Sequence, residues 1–333
     1  AQKQVHVGTG VSVKAGGLNV TAGITTVQAL QATTGTFSAD STVNSVNIGK
    51  GANSVAGNTV LGQLALDHVT TGGNNTALGY NTLTANTTGT QNTAVGSAAL
   101  DANTTGLRNT GIGADCLTNN TTGESNVAVG RDAMFHNSTG SFNTAVGRDA
   151  LQNNTTANSN TAVGESALEE NTTGTLNTAV GHLALGANTT ANRNTALGRS
   201  ALTTNTTGDD NVAVGYYALV SSTTSSDHTA VGNYALATNT TGESNVAIGL
   251  YAMYDNSTGS YNTAVGINAL GDNTTAGANT AIGYNALRLN TTGANNVALG
   301  FQTLDANTTG SKLTAIGYNA LTTNTTGSSN TAF

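Results

Sequence analysis

The side chains able to do chemistry in this chain are few and dispersed. Five histidines, His6, His68, His136, His182 and His228, share no spacing that would gather them around a metal ion. Cys116 is the single cysteine, with no second thiol for a disulfide, and reads as a small buried hydrophobe. No nucleophile, base and orienting acid fall into a recognisable set. Two patterns remain. Asp115, Asp132 and Asp149 recur at a fixed spacing of seventeen residues, and in stacked coils such like charges would lie roughly 5 Å apart and repel. Relief would come from Arg131 and Arg148, each one residue upstream of an aspartate, or from a bound cation. Tyr217, Tyr234 and Tyr251 recur in the same phase, and Tyr216, Tyr284, Phe301 and Tyr318 occupy the phase one residue earlier. Flat exposed rings beside Asn and Asp suit the faces of sugars, so these seven residues form a candidate glycan-binding strip. The plain alternative is an aromatic ladder that strengthens a stack.

These residues must be positioned by a repeat. Glycine returns every seventeenth residue from Gly62 to Gly317, sixteen times without an insertion or deletion, within copies of Asn-Thr-Ala-Val-Gly-x-x-Ala-Leu-x-x-Asn-Thr-Thr-Gly-x-x. So strict a period means that each copy fills the same volume against its neighbours. If Asn92 is position 1, Val95 is position 4 and Gly96 position 5. Position 4 is always Val, Leu or Ile, and position 9 is Leu except at Met134 and Met253. Two short strands per copy, at positions 2–4 and 7–9, fit between the glycine corners. Positions 4 and 9 are then expected inside. The alanines of positions 3 and 8 are expected on the opposite face, where a uniformly small surface would admit another chain. Asn at positions 1 and 12 is expected to form side-chain ladders from coil to coil. The same columns generate many Asn-x-Thr triplets, which makes them weak as glycosylation signals.

All Asp, Glu, Lys and Arg of the repeat fall at positions 6, 7, 10, 11, 16 and 17, which marks these as solvated corners. Ser222, Ser225 and His228 replace Asn, Gly and Asn around one coil that should be weakened. Residues 1–43 alternate in short apolar stretches and read as an extended, intertwining β segment. Residues 44–57 read as a short first coil, with Gly49 thirteen residues before Gly62. Residues 58–333 hold sixteen copies and a truncated seventeenth. The start at Ala1 and the stop at Phe333 point to a processed or excised chain.

Composition excludes several classes. With 10 Lys and Arg against 17 Asp and Glu, and a net charge of −7, the chain lacks a basic surface to follow nucleic acid. It has no run of eighteen apolar residues to cross a membrane. Charged residues are only 8% of the chain, yet the apolar columns never lapse, so it reads as ordered. The Gly-rich signature of calcium-binding β-rolls is missing, as is the acid pair of a glycan-cleaving cleft. The expectation is therefore no enzyme and no cofactor.

Asn143-Thr144-Ala145-Val146-Gly147 and its recurrences resemble the Ser/Asn-x-Ala-Ile-Gly motif of the head domains of trimeric autotransporter adhesins. Copies with Tyr284-Asn285-Ala286-Leu287 and Asn290-Thr291-Thr292-Gly293 look still more like bacteriophage long tail-fibre proteins. Gly17-Leu18-Asn19-Val20-Thr21-Ala22-Gly23-Ile24 is similar to phage fibre shafts. The resemblance implies an all-β parallel β-solenoid or β-roll of left-handed coils, packed as a homotrimeric fibre. It implies a virion location, with other tail or fibre proteins and a host-surface polysaccharide or receptor as partners. A bacterial cell-surface trimeric adhesin or extracellular filament is the alternative. The coil is longer than in those adhesin heads. Ice binding through the threonines of positions 2, 13 and 14 is a minor further reading.

Overall fold

The computed structural model describes residues 41–333. The extended segment expected over 1–43 lies outside the described residues apart from its last three. Strands β1 (Ser41–Val43), β2 (Val46–Gly49) and β3 (Thr59–Gly62) form an antiparallel meander. The short first coil expected over 44–57 is thus coil-like only in part. The Ala52 N–H donates to the Leu66 carbonyl at 3.1 Å, as one coil does to the next, but β2 runs against β3. This segment caps the stack at its N-terminal end.

From β3 onward every copy contributes one strand, β4 (Thr76–Leu78) through β18 (Thr314–Ile316) in the same phase, with β19 (Thr331–Ala332) last. Each pairs in parallel with the next copy, Thr on Thr or Val and Ala on Ala except at Val60 and Gly111, in unbroken register. The result is an all-β parallel solenoid of about sixteen turns with no α-helix among the described residues. At roughly 4.8 Å per coil it is about 77 Å long.

The second strand expected at positions 7–9 does not form. Positions 7 and 9 sit at positive φ, as in Ala98 (54°) and Leu100 (55°), and position 17 does the same, as in Arg108 (56°). Such a backbone turns instead of extending. Pairing between coils nonetheless continues through the turns. The Leu100 N–H donates to the Cys116 carbonyl at 3.0 Å, and the Arg108 N–H donates back to the Thr90 carbonyl at 3.0 Å. Since a non-glycine residue at positive φ costs roughly 1 kcal/mol or more, the coil keeps Leu at position 9 because only a large side chain fills the interior.

The expected inside and outside are reversed at the strand. Ala94 and Ala99, at positions 3 and 8, are fully buried with Leu100 at position 9. Position 4 faces outward, with exposure between 37% at Ile282 and 47% at Leu197 among its Leu and Ile residues other than the half-buried Ile316. In a three-residue strand only the middle residue points in, and the coil is too thin there for more than a methyl group. Gly111 shows the limit: a Cβ at this position would sit 3.0 Å from the Cys116 sulfur and 3.5 Å from Leu100 Cδ1. Glycine at position 3 thus accompanies the larger Cys at position 8. The alanine columns are small because of interior crowding within one chain.

The two asparagine columns differ. At position 12 a true ladder forms: Asn120 Nδ2 donates to Asn103 Oδ1, and Asn137 Nδ2 to Asn120 Oδ1, both at 2.8 Å. At position 1 the amide oxygen instead accepts the next coil's backbone N–H, as Asn92 Oδ1 does from Asn109 at 2.9 Å. Its Nδ2 donates to the position 15 carbonyl of Gly106 at 2.8 Å. Both columns are buried with these groups paired, as buried amides require. The position 5 glycine turns the corner at φ near 135°, and a Cβ on Gly96 would collide with the Gly113 carbonyl of the next coil.

Candidate functional site

Chemical variety falls at positions 6, 7, 10 and 11 and at positions 16 and 17, and the candidate aspartate and aromatic columns lie in the first group. The left-handed turn at position 7 sets successive side chains over one another, half-buried in most coils and buried at Asp149, Ser166, Ser200 and Asn285, so whatever the sequence places there forms a column. In the N-terminal half that column is acidic. Arg131 Nε pairs with Asp132 at 2.9 Å and Arg148 with Asp149 at 3.1 Å, and Arg148 also pairs with Glu165 in the next coil. Asp132 and Asp149 are thus each paired with the adjacent arginine, whereas Asp115, preceded by Ala114, has no ion pair among the described residues. Among the described residues no group of three or more His, Cys, Asp or Glu side chains is arranged to hold a metal ion.

Farther along, the same column is aromatic. Tyr217 stacks on Tyr234 at 5.7 Å between centroids and Tyr234 on Tyr251 at 5.5 Å, with planes within 16°. Tyr216 meets Tyr217 and Tyr234 edge-on, and the Arg199 guanidinium lies 5.8 Å from both the Tyr216 and Tyr217 rings. Tyr284, Phe301 and Tyr318 make a separate parallel stack at 5.2 and 5.3 Å. The seven rings are thus two ladders interrupted by Ile267 and Asn268. A stacked aromatic pair of this kind contributes about 1 kcal/mol.

Sequence reasoning missed Tyr254. It occupies position 10, outside the two aromatic phases, but the turn brings it 5.4 Å from Tyr251 at 86°. Its spacing of three residues from Tyr251 was the available signal. Beside this pair lies a groove of about 270 Å³ lined by Tyr251, Tyr254, Asn268, Gly271 and Asp272. Burial raises the Asp272 carboxyl above its ordinary range, with Arg288 pulling the opposite way and Asp255 and Asp305 adding to the rise.

The coil expected to be weakened is intact. His228 Nδ1 accepts the Asn245 backbone N–H at 3.2 Å, the task that an asparagine oxygen performs elsewhere, so its proton belongs on Nε2. Nε2 lies 3.2 Å from Ser225 Oγ, which is 2.7 Å from Ser222 Oγ and accepts from Asn239 Nδ2 at 3.2 Å. The three replacements form one buried network with Asn239, whose Nδ2 also lies 3.2 Å from His228 Nε2 and donates to Ser225 Oγ and the Gly242 carbonyl. Burial pushes the His228 pKa down to about 4. It likewise pushes the Cys116 thiol up to about 12, which keeps that thiol un-ionised and inert.

The threonines considered for ice binding do not form one face. Position 13 hydroxyls donate to backbone carbonyls of the next coil, as Thr104 does to Thr121 at 3.1 Å, whereas position 2 lies on the outer strand face.

That outer strand face is uniform along the stack. It carries Val, Leu or Ile at position 4 and Thr or Val at position 2 in every coil, and no charged residue. No family model matches the chain, and no curated protein matches it.

Proposed function

We propose that this chain is a non-catalytic structural protein, the shaft of a homotrimeric bacteriophage tail fibre that holds out, or adds to, a surface that binds host glycans. The single observation that carries the assembly is the outward aliphatic column at position 4, repeated without a charge along sixteen coils. A lone soluble chain seldom leaves a continuous apolar stripe of this extent uncovered. A second copy has the same coil period and so meets every rung with an identical one. Covering one side chain that is about two-fifths exposed contributes roughly 1 kcal/mol, or on the order of 10 kcal/mol along the array before the cost of association.

The number three, the left-handed coil and the phage setting rest on the likeness of the Asn-Thr-Ala-Val-Gly repeat to fibre and adhesin motifs. The absence of length variation supports a stiff spacer in either setting. Light scattering on the purified chain tests the proposal: three copies per particle are expected, and a monomer at micromolar concentration overturns it. The triple variant Val146→Lys, Val163→Lys and Val180→Lys, which places ammonium groups on three adjacent rungs of the face, is expected to shift the mass toward single chains.

A further inference from the structure

We infer that the groove after Tyr251 is a binding site for one neutral hexose residue of a surface polysaccharide. Two ring columns end at the same step of the solenoid. At position 7 the series Tyr217, Tyr234, Tyr251 gives way to Asn268, and at position 10 Tyr254 gives way to Gly271. One face of the Tyr251 ring is covered by Tyr234. The opposite face looks along the column toward Asn268, where no ring follows. Tyr254 stands nearly perpendicular to it and forms a wall.

Gly271 is what opens the space. The backbone does not require glycine there, because its φ is not positive, and a Cβ would meet nothing closer than the Asn268 carbonyl oxygen at 3.3 Å and Arg288 Cγ at 3.7 Å. Any larger side chain would instead project into the groove. Two polar groups face the same volume. The Asp272 carboxylate accepts no hydrogen bond among the described residues, while Arg288 is committed to Asp305 at 3.0 Å. Asn268 donates through Nδ2 to Asn285 at 3.2 Å, which leaves its oxygen free to accept.

An open ring face, a carboxylate and an amide oxygen are complementary to a pyranose. The C–H face of the sugar lies on Tyr251, and two neighbouring hydroxyls donate to Asp272 and Asn268. Asp255 beside Asp272 makes the site acidic and disfavours uronic and sialic acids. At about 270 Å³ the groove is below the roughly 300–1,000 Å³ typical of drug-sized ligands, which suits one sugar ring of a longer chain. The lining residues come from positions 7, 10 and 11, away from the strand face, so assembly leaves them accessible.

The inference deepens the fibre reading, which supplies the surface to be bound, but the two fail separately: oligomer mass tests the fibre and sugar titration tests the groove. The chain has no tryptophan, so tyrosine fluorescence reports directly on the aromatic corner. The assembled protein would be titrated with neutral oligosaccharides of glucose, galactose and mannose, with a uronic acid oligomer and with choline. Saturable quenching by at least one neutral oligosaccharide is expected, weakened at least tenfold in Gly271→Leu, which fills the groove, and in the isosteric Asp272→Asn. Far-UV circular dichroism should show both variants folded. The inference is overturned if no neutral sugar binds, if Gly271→Leu binds as well as the parent, or if choline binds and the sugars do not.

Discussion

Positions 4 and 7 of each coil lie three residues apart and follow opposite rules. Position 4 repeats one kind of chemistry sixteen times, outward and aliphatic, whereas position 7 changes from Asp115, Asp132 and Asp149 to Tyr217, Tyr234 and Tyr251 and then to Asn268 and Asn285. Side chains that touch something of the same period must all stay the same. Side chains that meet solvent, or a ligand confined to one step, can change from coil to coil. On the proposed reading, uniformity on the outward strand face marks the assembly face, and local departure marks the place to look for recognition.

The most severe way to break the contrast is to remove what both faces depend on. Gly147→Val places a side chain at φ 139°, with its Cβ directed at the Gly164 carbonyl. A loss of more than about 3 kcal/mol is expected, visible as an early transition in denaturant. Gly271→Ala, where φ is ordinary, should shift the same transition by less than about 1 kcal/mol. Equal effects would mean that the positive φ is not what fixes glycine at position 5.

Next, the two apolar columns can be compared within one copy. Leu168→Ala at position 9 empties a fully buried site and should cost about 3 kcal/mol in any assembly state. Val163→Ala at position 4 should cost less than about 1 kcal/mol in dissociated chains and more in the oligomer. Chemical denaturation above and below the dissociation concentration separates the two. A concentration-independent loss at Val163 would show that the strand face is not an interface.

Legibility followed the same division. The coil length, the parallel stack and the strand at positions 2–4 could all be read from Gly62 to Gly317, whereas position 7, expected as a solvated corner from its charges, is largely shielded and holds Asp149 buried. Which strand face points inward could not, because Ala at position 3 is equally consistent with a thin interior and with a neighbouring chain. The deciding fact is the left-handed backbone at positions 7 and 9, and Leu100 or Leu117 in that conformation has no sequence signature. The aromatic ladders were visible as phases. Tyr254 and the gap at Gly271 were not, since their proximity depends on how the turn folds back.

The coil with Ser222, Ser225 and His228 offers a change in pH as a further probe. The imidazole pKa is pushed from its usual value near 6.5 to about 4 in the folded chain, so the unfolded chain binds the proton more readily. This contribution to stability is complete above pH 6.5, is lost as pH falls to 4, and stays constant below that, a change of about 3 kcal/mol. His228→Asn restores the regular column and should remove this part of the pH dependence. A slope unchanged in that variant would assign it to carboxylates elsewhere.

The smallest effect is expected at the acidic part of the corner. Arg131 is more than half exposed, so Arg131→Ala should cost under about 1 kcal/mol despite its 2.9 Å contact with Asp132. The loss should vanish in high salt, because screening over about 3 Å at 1 M leaves little of an exposed pair. The variant also exposes the competing account of the aspartate column. With Arg131 removed, a latent cation site spanning Asp115, Asp132 and Asp149 would raise the melting temperature on addition of calcium and leave the parent unaffected. No calcium response in either protein means that neighbouring arginine and water are enough to hold three carboxylates in register, and the corner can then carry charge, rings or amides without altering the strand face three residues away.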